Sequence, residues 1–154
     1  MATVGEICNR EVVVTPRDTT VADAARLMRD HHVGSLVIAE PRDGAQHPVG
    51  IITDRDLVVE IMAMDLDPRD VRVEEVMGRG LVIARENDGI RETLEVMRYK
   101  GVRRLPVLST RGNLMGIVAA DDLMKILAED ITALATITTR ERWREAAQRK
   151  TVSV

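Results

Sequence analysis

The chain has 154 residues, enough for one domain with a sizeable core or for two small, closely packed units. Apolar residues make up 45% and charged residues 31%, a globular balance, and a net charge of −3 disfavours nucleic acid as a partner. A single cysteine, Cys8, excludes an internal disulfide and a multi-cysteine zinc site. No apolar run or basic leader marks a membrane partner or a signal peptide, so a cytoplasmic protein is expected.

In chain order, the β-branched run 11–15 closes on Thr15-Pro16 and predicts a strand and turn. Thr19 or Thr20 can cap a helix with Val21, Ala24, Ala25 and Met28 on one face, ending near His31-His32. Strands are expected over 35–39 and 49–53, joined as a hairpin through Pro41-Arg42-Asp43-Gly44, with a helix over 54–64. Residues 65–76 connect to a second series: a strand over 81–84, a helix capped by Asn87 or Asp88 and stopped by Gly101, hairpin strands over 105–108 and 115–119, and a closing helix over 121–128. Beyond Asp130 lies a tail with Leu134, Ile137 and Trp143, helix-prone over 140–150. That stretch carries five positive and two negative charges and suits packing on a sister subunit or on the body of the protein. A single aromatic, Trp143, stands among its arginines, and nothing in it singles out nucleic acid.

The second series repeats the first. Gly50-Ile51-Ile52-Thr53-Asp54-Arg55-Asp56-Leu57 returns as Gly116-Ile117-Val118-Ala119-Ala120-Asp121-Asp122-Leu123, and Val33-Gly34-Ser35-Leu36-Val37-Ile38 answers to Val102-Arg103-Arg104-Leu105-Pro106-Val107. The offset is 69 residues at Met28/Met97 and 66 at Gly50/Gly116, so the length change falls in the hairpin loop. One β-α-β-β-α module used twice implies two units packed together, with a ligand seam between them. The divisions are 1–66, 67–130 and a tail over 131–154.

The Gly-apolar-apolar-Thr-x-x-Asp segment joins a strand to a helix. Asp56 in the first helical turn can accept two hydrogen bonds from a vicinal diol such as ribose, and helix-terminal N–H groups can meet phosphate oxygens. The same spacing is that of a capping box, with Thr53 capping and Asp56 reaching back. Arg103 and Arg104 offer guanidinium forks for phosphate. Strand neighbours point to opposite faces, which favours one of them, Arg103, for the cleft. His31, His32 and His47 lack metal-ligand spacing, and no nucleophile has a nearby base, so neither a metal nor a catalytic site is assigned.

The two Gly-h-h-x-x-x-Asp segments, the paired apolar strands and the duplicated order resemble the cystathionine β-synthase-type (CBS) domain pair, or Bateman module, over about residues 7–128. The resemblance implies an α+β fold of tandem β-α-β-β-α repeats packed through their sheets with pseudo-two-fold symmetry, here with a C-terminal helical tail. It implies clefts for adenine-containing ligands: AMP, ADP or ATP before NAD or S-adenosylmethionine. By position, one cleft takes Gly34, Ile51, Thr53, Asp56, Val82, Val102 and Arg103. The other takes Cys8, Val13, Val33, Gly34, Ile117, Ala119 and Asp122. Ala119 stands where the family usually has Thr or Ser, a loss of about 0.5–1.5 kcal/mol, so the Thr53/Asp56 cleft is expected to bind more tightly. The resemblance also implies a flat homodimer and a regulatory role read by an effector protein. The alternative is an interaction module whose cleft is vestigial.

Overall fold

The computed structural model describes residues 2–149. It divides into two units, one ending at Ala119 and the other beginning at Ala120.

In the first unit, helix α1 (Val4–Ile7) precedes strand β1 (Val14–Thr15), helix α2 (Val21–His31), the hairpin β2 (Ser35–Arg42) and β3 (Ala45–Thr53), and helix α3 (Asp54–Leu57), which passes into a π-helical turn, Val58–Met62. The short helix α4 (Val73–Val76) then opens a second series of β4 (Ala84–Arg85), α5 (Ile90–Lys100), β5 (Arg104–Leu108) and β6 (Leu114–Ala119). Each half forms a three-stranded sheet, β1-β2-β3 or β4-β5-β6, with its first pair parallel and its second antiparallel. The sheets approach each other through β3 and β6. This is the tandem α+β fold expected from the repeat. The second unit is one helix, α6 (Ala120–Arg149).

The β2 run Leu36-Val37-Ile38-Ala39 is buried throughout, as a strand covered on both faces must be. Leu36 and Ile38 join Ala24, Met28, Ile52 and Val73 in one core, each large side chain stabilising by about 1.5–3 kcal/mol on burial. Both hairpins carry a register irregularity at the same repeat position, between Ile38 and Ala39 and between Val107 and Leu108, with Gly50 and Gly116 directly across.

Those glycines show how the halves are tied. α1 precedes the first half but packs on the second: Val4 and Gly5 N–H groups donate to Asp88 and Glu86 carbonyls at 2.9 Å, and Asn9 exchanges two 2.9 Å backbone bonds with Ile117. α4, 69 residues on, makes the matching contacts with the first half, Val73 N–H to Thr19 O at 2.9 Å and Glu74 N–H to Arg17 O at 3.3 Å. The residue after each helix lies on a glycine, Cys8 on Gly116 and Met77 on Gly50. Burial pushes the Cys8 thiol up, against a smaller lowering by Arg10.

Several boundaries differ from expectation. β1 is confined to the two residues that pair with Val37 and Ile38, ending where Pro16 brings no N–H to the ladder, and β4 to the two that pair with Val107 and Leu108, the last residues of β5. Thr20 caps α2, while the Thr19 hydroxyl meets that of Thr15 at 2.7 Å. Gly89, rather than Asn87 or Asp88, is the N-cap of α5, because the Asp88 carboxylate turns back to the Arg85 N–H at 2.7 Å. Gly101 ends α5 in the left-handed conformation, φ 66°. The closing helix and the helix-prone tail are one continuous helix, with no Gly or Pro between them. Thr132 and Thr136 hydroxyls donate back to Ala128 and Ala133 carbonyls at 2.7 Å. Lys150, in the expected tail helix, lies outside the described residues.

A methyl group at Gly116 would fall 2.5 Å from Cys8 Sγ and 2.9 Å from the Asn9 carbonyl, which cannot easily retreat. At Gly50 the obstacle is the flexible Met77 thioether. Urea denaturation should therefore show Gly116→Ala losing about 1–3 kcal/mol, and Gly50→Ala clearly less. Equal losses would contradict this packing.

In the connection between the halves, Asp67 Oδ1 accepts from the Arg69 N–H at 2.9 Å and Oδ2 from Arg69 Nη2 at 2.6 Å. The Arg69 side chain, then its N–H, holds the Asp67 carboxyl down at about 2. A depressed carboxyl stabilises the fold above its unfolded value of about 3.9, and that contribution is lost as pH falls through about 2. A carbon-detected NMR titration should find Asp67 titrating near 2 and returning toward about 3.9 in Arg69→Ala.

Candidate functional site: a cleft between the two repeats

A cleft of about 340 Å³ is lined by Ile51, Thr53, Asp54, Arg55 and Asp56 from the first repeat and by Gly101, Val102, Arg103 and Arg104 from the second. Its first wall is the β3–α3 junction. Along β3, Ile52 is buried in the core while Ile51 and Thr53 turn the other way, half-buried, toward the cleft. Its second wall is set by the end of α5. The left-handed Gly101 turns the chain, the Val102 N–H returns to Met97 O at 3.0 Å, and the next residues run into β5 along the cleft.

Thr53 and Asp56 form the capping box that their spacing allows. The Asp56 N–H donates to Thr53 Oγ1 at 3.3 Å, and the Thr53 N–H donates to Asp56 Oδ2 at 2.8 Å. The box fixes the Asp56 carboxylate at the cleft with one oxygen engaged locally. Asp54 is held in a similar way, its N–H donating to Gly34 O at 3.0 Å and its Oδ1 accepting from the Arg55 N–H at 2.8 Å. Gly34 lies beneath these groups. A Cβ there would fall 3.1 Å from Asp54 Oδ2 and 3.7 Å from Arg104 Nη2, so Gly34 leaves room for a carboxylate from one repeat and a guanidinium from the other.

Of the residues expected here, Ile51, Thr53, Asp56, Val102 and Arg103 line the cleft and Gly34 underlies it. Val82 is half-buried in the irregular segment before β4 and is not among the lining residues. Arg104 lines the cleft together with Arg103. Alternation of faces holds only inside a strand, and Arg103 sits in a bend before β5 begins at Arg104. Asp54 and Arg55 also line it. Their signal was their place in the first helical turn, where side chains stay at the strand's end.

The residues expected of a second cleft are spread over several elements. Cys8 is buried on Gly116, Ile117 bonds to Asn9, and Ala119 pairs with Arg104 at the end of β6. Val13 and Val33 pack against the core of the first half. Asp122 lies in the first turn of α6, 3.9 Å from Lys125. Among the described residues, no group of three His, Cys, Asp or Glu side chains could hold a metal ion, and no helix is long and apolar enough to cross a membrane.

The CBS domain family matches the chain twice, over residues 4–63 and 73–129. The chain belongs to the CBS domain family. Hypoxic response protein 1 of Mycobacterium tuberculosis is 35% identical over 129 residues, 84% of this chain and 87% of that one. A crystal structure of hypoxic response protein I, with two coordinated zinc ions, matches with a TM-score of 0.68 over 80% of this chain and 98% of its own. A Methanopyrus kandleri relative is 34% identical over 123 residues, 80% of this CBS chain, which spans only 61% of that relative's length. A hexameric CBS-CP12 protein from bloom-forming cyanobacteria matches at TM-score 0.71 and 31% identity, over 80% of this chain and 70% of its own. A CBS domain pair in complex with 5′-methylthioadenosine and S-adenosyl-L-methionine shares the fold at TM-score 0.72 and 21% identity, over 84% and 98% of the two chains.

The capping box has a cost that can be read without ligand. Thr53→Ala removes the hydroxyl acceptor and should lower stability in chemical denaturation by about 1 kcal/mol. Thr53→Ser, which keeps the hydroxyl, should stay near the parent.

Proposed function

We infer that the protein is a regulatory CBS pair that binds an adenine nucleotide of the AMP, ADP or ATP class between its repeats and signals to an effector protein through a change in conformation or dimer arrangement. The observation that carries this reading is the make-up of the cleft. Ile51 and Val102 supply apolar surface for a base, one from each repeat. Asp56 has Oδ2 on the Thr53 N–H, which leaves Oδ1 to accept from ribose hydroxyls. Arg55, Arg103 and Arg104 outnumber the two carboxylates, and guanidinium forks match phosphate oxygens.

This balance of charge favours a phosphate chain over S-adenosylmethionine, whose sulfonium is a cation, and NAD is the next candidate. The family member described with adenosyl ligands supports the ligand class. Because the cleft is built from both repeats, ligand would bridge them. Any signal then requires different affinities for two arrangements of the pair.

Thermal unfolding with AMP, ADP, ATP, NAD and S-adenosylmethionine tests the reading. A ligand at 100 times its dissociation constant should stabilise by about 2.7 kcal/mol. Asp56→Asn and Arg104→Ala should each weaken binding roughly tenfold or more, the worth of a hydrogen bond to a charged group. The shift on adding ligand is the quantity to compare, since Asp56 also holds the capping box. No shift from any of the five ligands would overturn the proposal.

A further inference from the structure

Helix α6 carries opposite charge in its two halves and an uncharged middle. From Ala120 to Asp130 four acids, Asp121, Asp122, Glu129 and Asp130, stand against Lys125 alone. Over residues 140–149 four arginines stand against Glu141 and Glu145, and residues 131–139 carry no charge. The helix dipole accounts for acids in the first turn and a base in the last, but its effect fades within a turn. It leaves Asp130, Arg140 and Arg142, all interior, unexplained. Met124, Leu127, Ile131 and Leu134 follow one another at spacings of three, four and three, which places them on one face. Ile131 and Leu134 are each 66% exposed. A long helix draws most of its stability from packing such a face.

We propose that this face docks on α6 of a second copy of the chain, with the two helices antiparallel and Ile131 of one against Leu134 of the other. Two-fold symmetry makes that contact twice. The same register sets Leu127 opposite Thr138 and Asp121 opposite Arg142, also twice, so each acidic half lies along a basic half. A parallel pair would align acid with acid and base with base. An antiparallel pair shifted by one heptad, with Leu127 against Ile131, would bring Asp130 against its own copy, and like charges at such spacing are destabilising. Charge thus selects both the direction and the register.

Sedimentation equilibrium of the full chain should show a dimer at micromolar concentration. Leu134→Lys and, separately, Ile131→Lys should raise its dissociation constant at least tenfold while circular dichroism confirms the parent fold. A nitroxide at Gln148→Cys, in a Cys8→Ala chain, reports direction. The antiparallel register separates the two labels by about 45 Å, from 31 residues of helix at ~1.5 Å each. A parallel pair would bring them within roughly 10–20 Å. A monomer at all concentrations, a dimer that neither lysine substitution weakens, or a short label distance would each overturn the proposal.

Discussion

The exchange of short helices between the halves is the contact on which the rest of the first unit depends. α1 hydrogen-bonds to the second half and α4 to the first, so neither half is complete without a segment belonging to the other repeat. The exchange requires glycine on the third strand of each sheet. Cys8 and Met77 occupy the space in which a side chain at Gly116 or Gly50 would stand. With both helices in place, β3 and β6 come together, and the end of β3 faces the start of β5 across a cleft. The close approach that makes the glycines necessary also brings the two walls of the cleft together.

The cleft uses local structure to hold functional groups. A capping box is ordinarily only a way to begin a helix. Here it orients the Asp56 carboxylate, with one oxygen held by the Thr53 N–H, and Asp54 is tied by backbone hydrogen bonds to Gly34 and Arg55. Pre-set carboxylates lose little freedom when a ligand arrives. The capping reading and the binding reading of Thr-x-x-Asp therefore do not compete, because the cap engages Oδ2 and leaves Oδ1 for the proposed ligand. The second repeat has Ala119 in place of the threonine and cannot build the hydroxyl half of such a box.

The repeat was legible because a duplicated pattern of apolar residues and glycines survives in one dimension, and each copy announces its strands, its helices and its hairpin. Boundaries were less legible where an element depends on a partner. The run 11–15 has the composition of a strand throughout, yet only Val14 and Thr15 take ladder positions beside β2, with the Val13 carbonyl accepting from the Val37 N–H. Asp88 has the composition of a cap, yet its carboxylate is taken by Arg85 and Gly89 serves instead. The tail and closing helix read as two segments because the repeat stops at Asp130, whereas no Gly or Pro interrupts the helix that runs through both.

For this CBS pair, the sequence by itself determined the two-fold repeat, the α+β class, the apolar core and the Thr53/Asp56 junction. These rest on spacing along one chain and on side chains within a few residues of one another. Tertiary structure decided which helix completes which sheet, and that Arg104 stands with Arg103 beside Asp54 and Asp56. Residues some 50 apart line one cleft only after two sheets have packed, and alternation along a strand does not say where that strand begins. The positions were written locally, but which of them meet was set by packing between the halves.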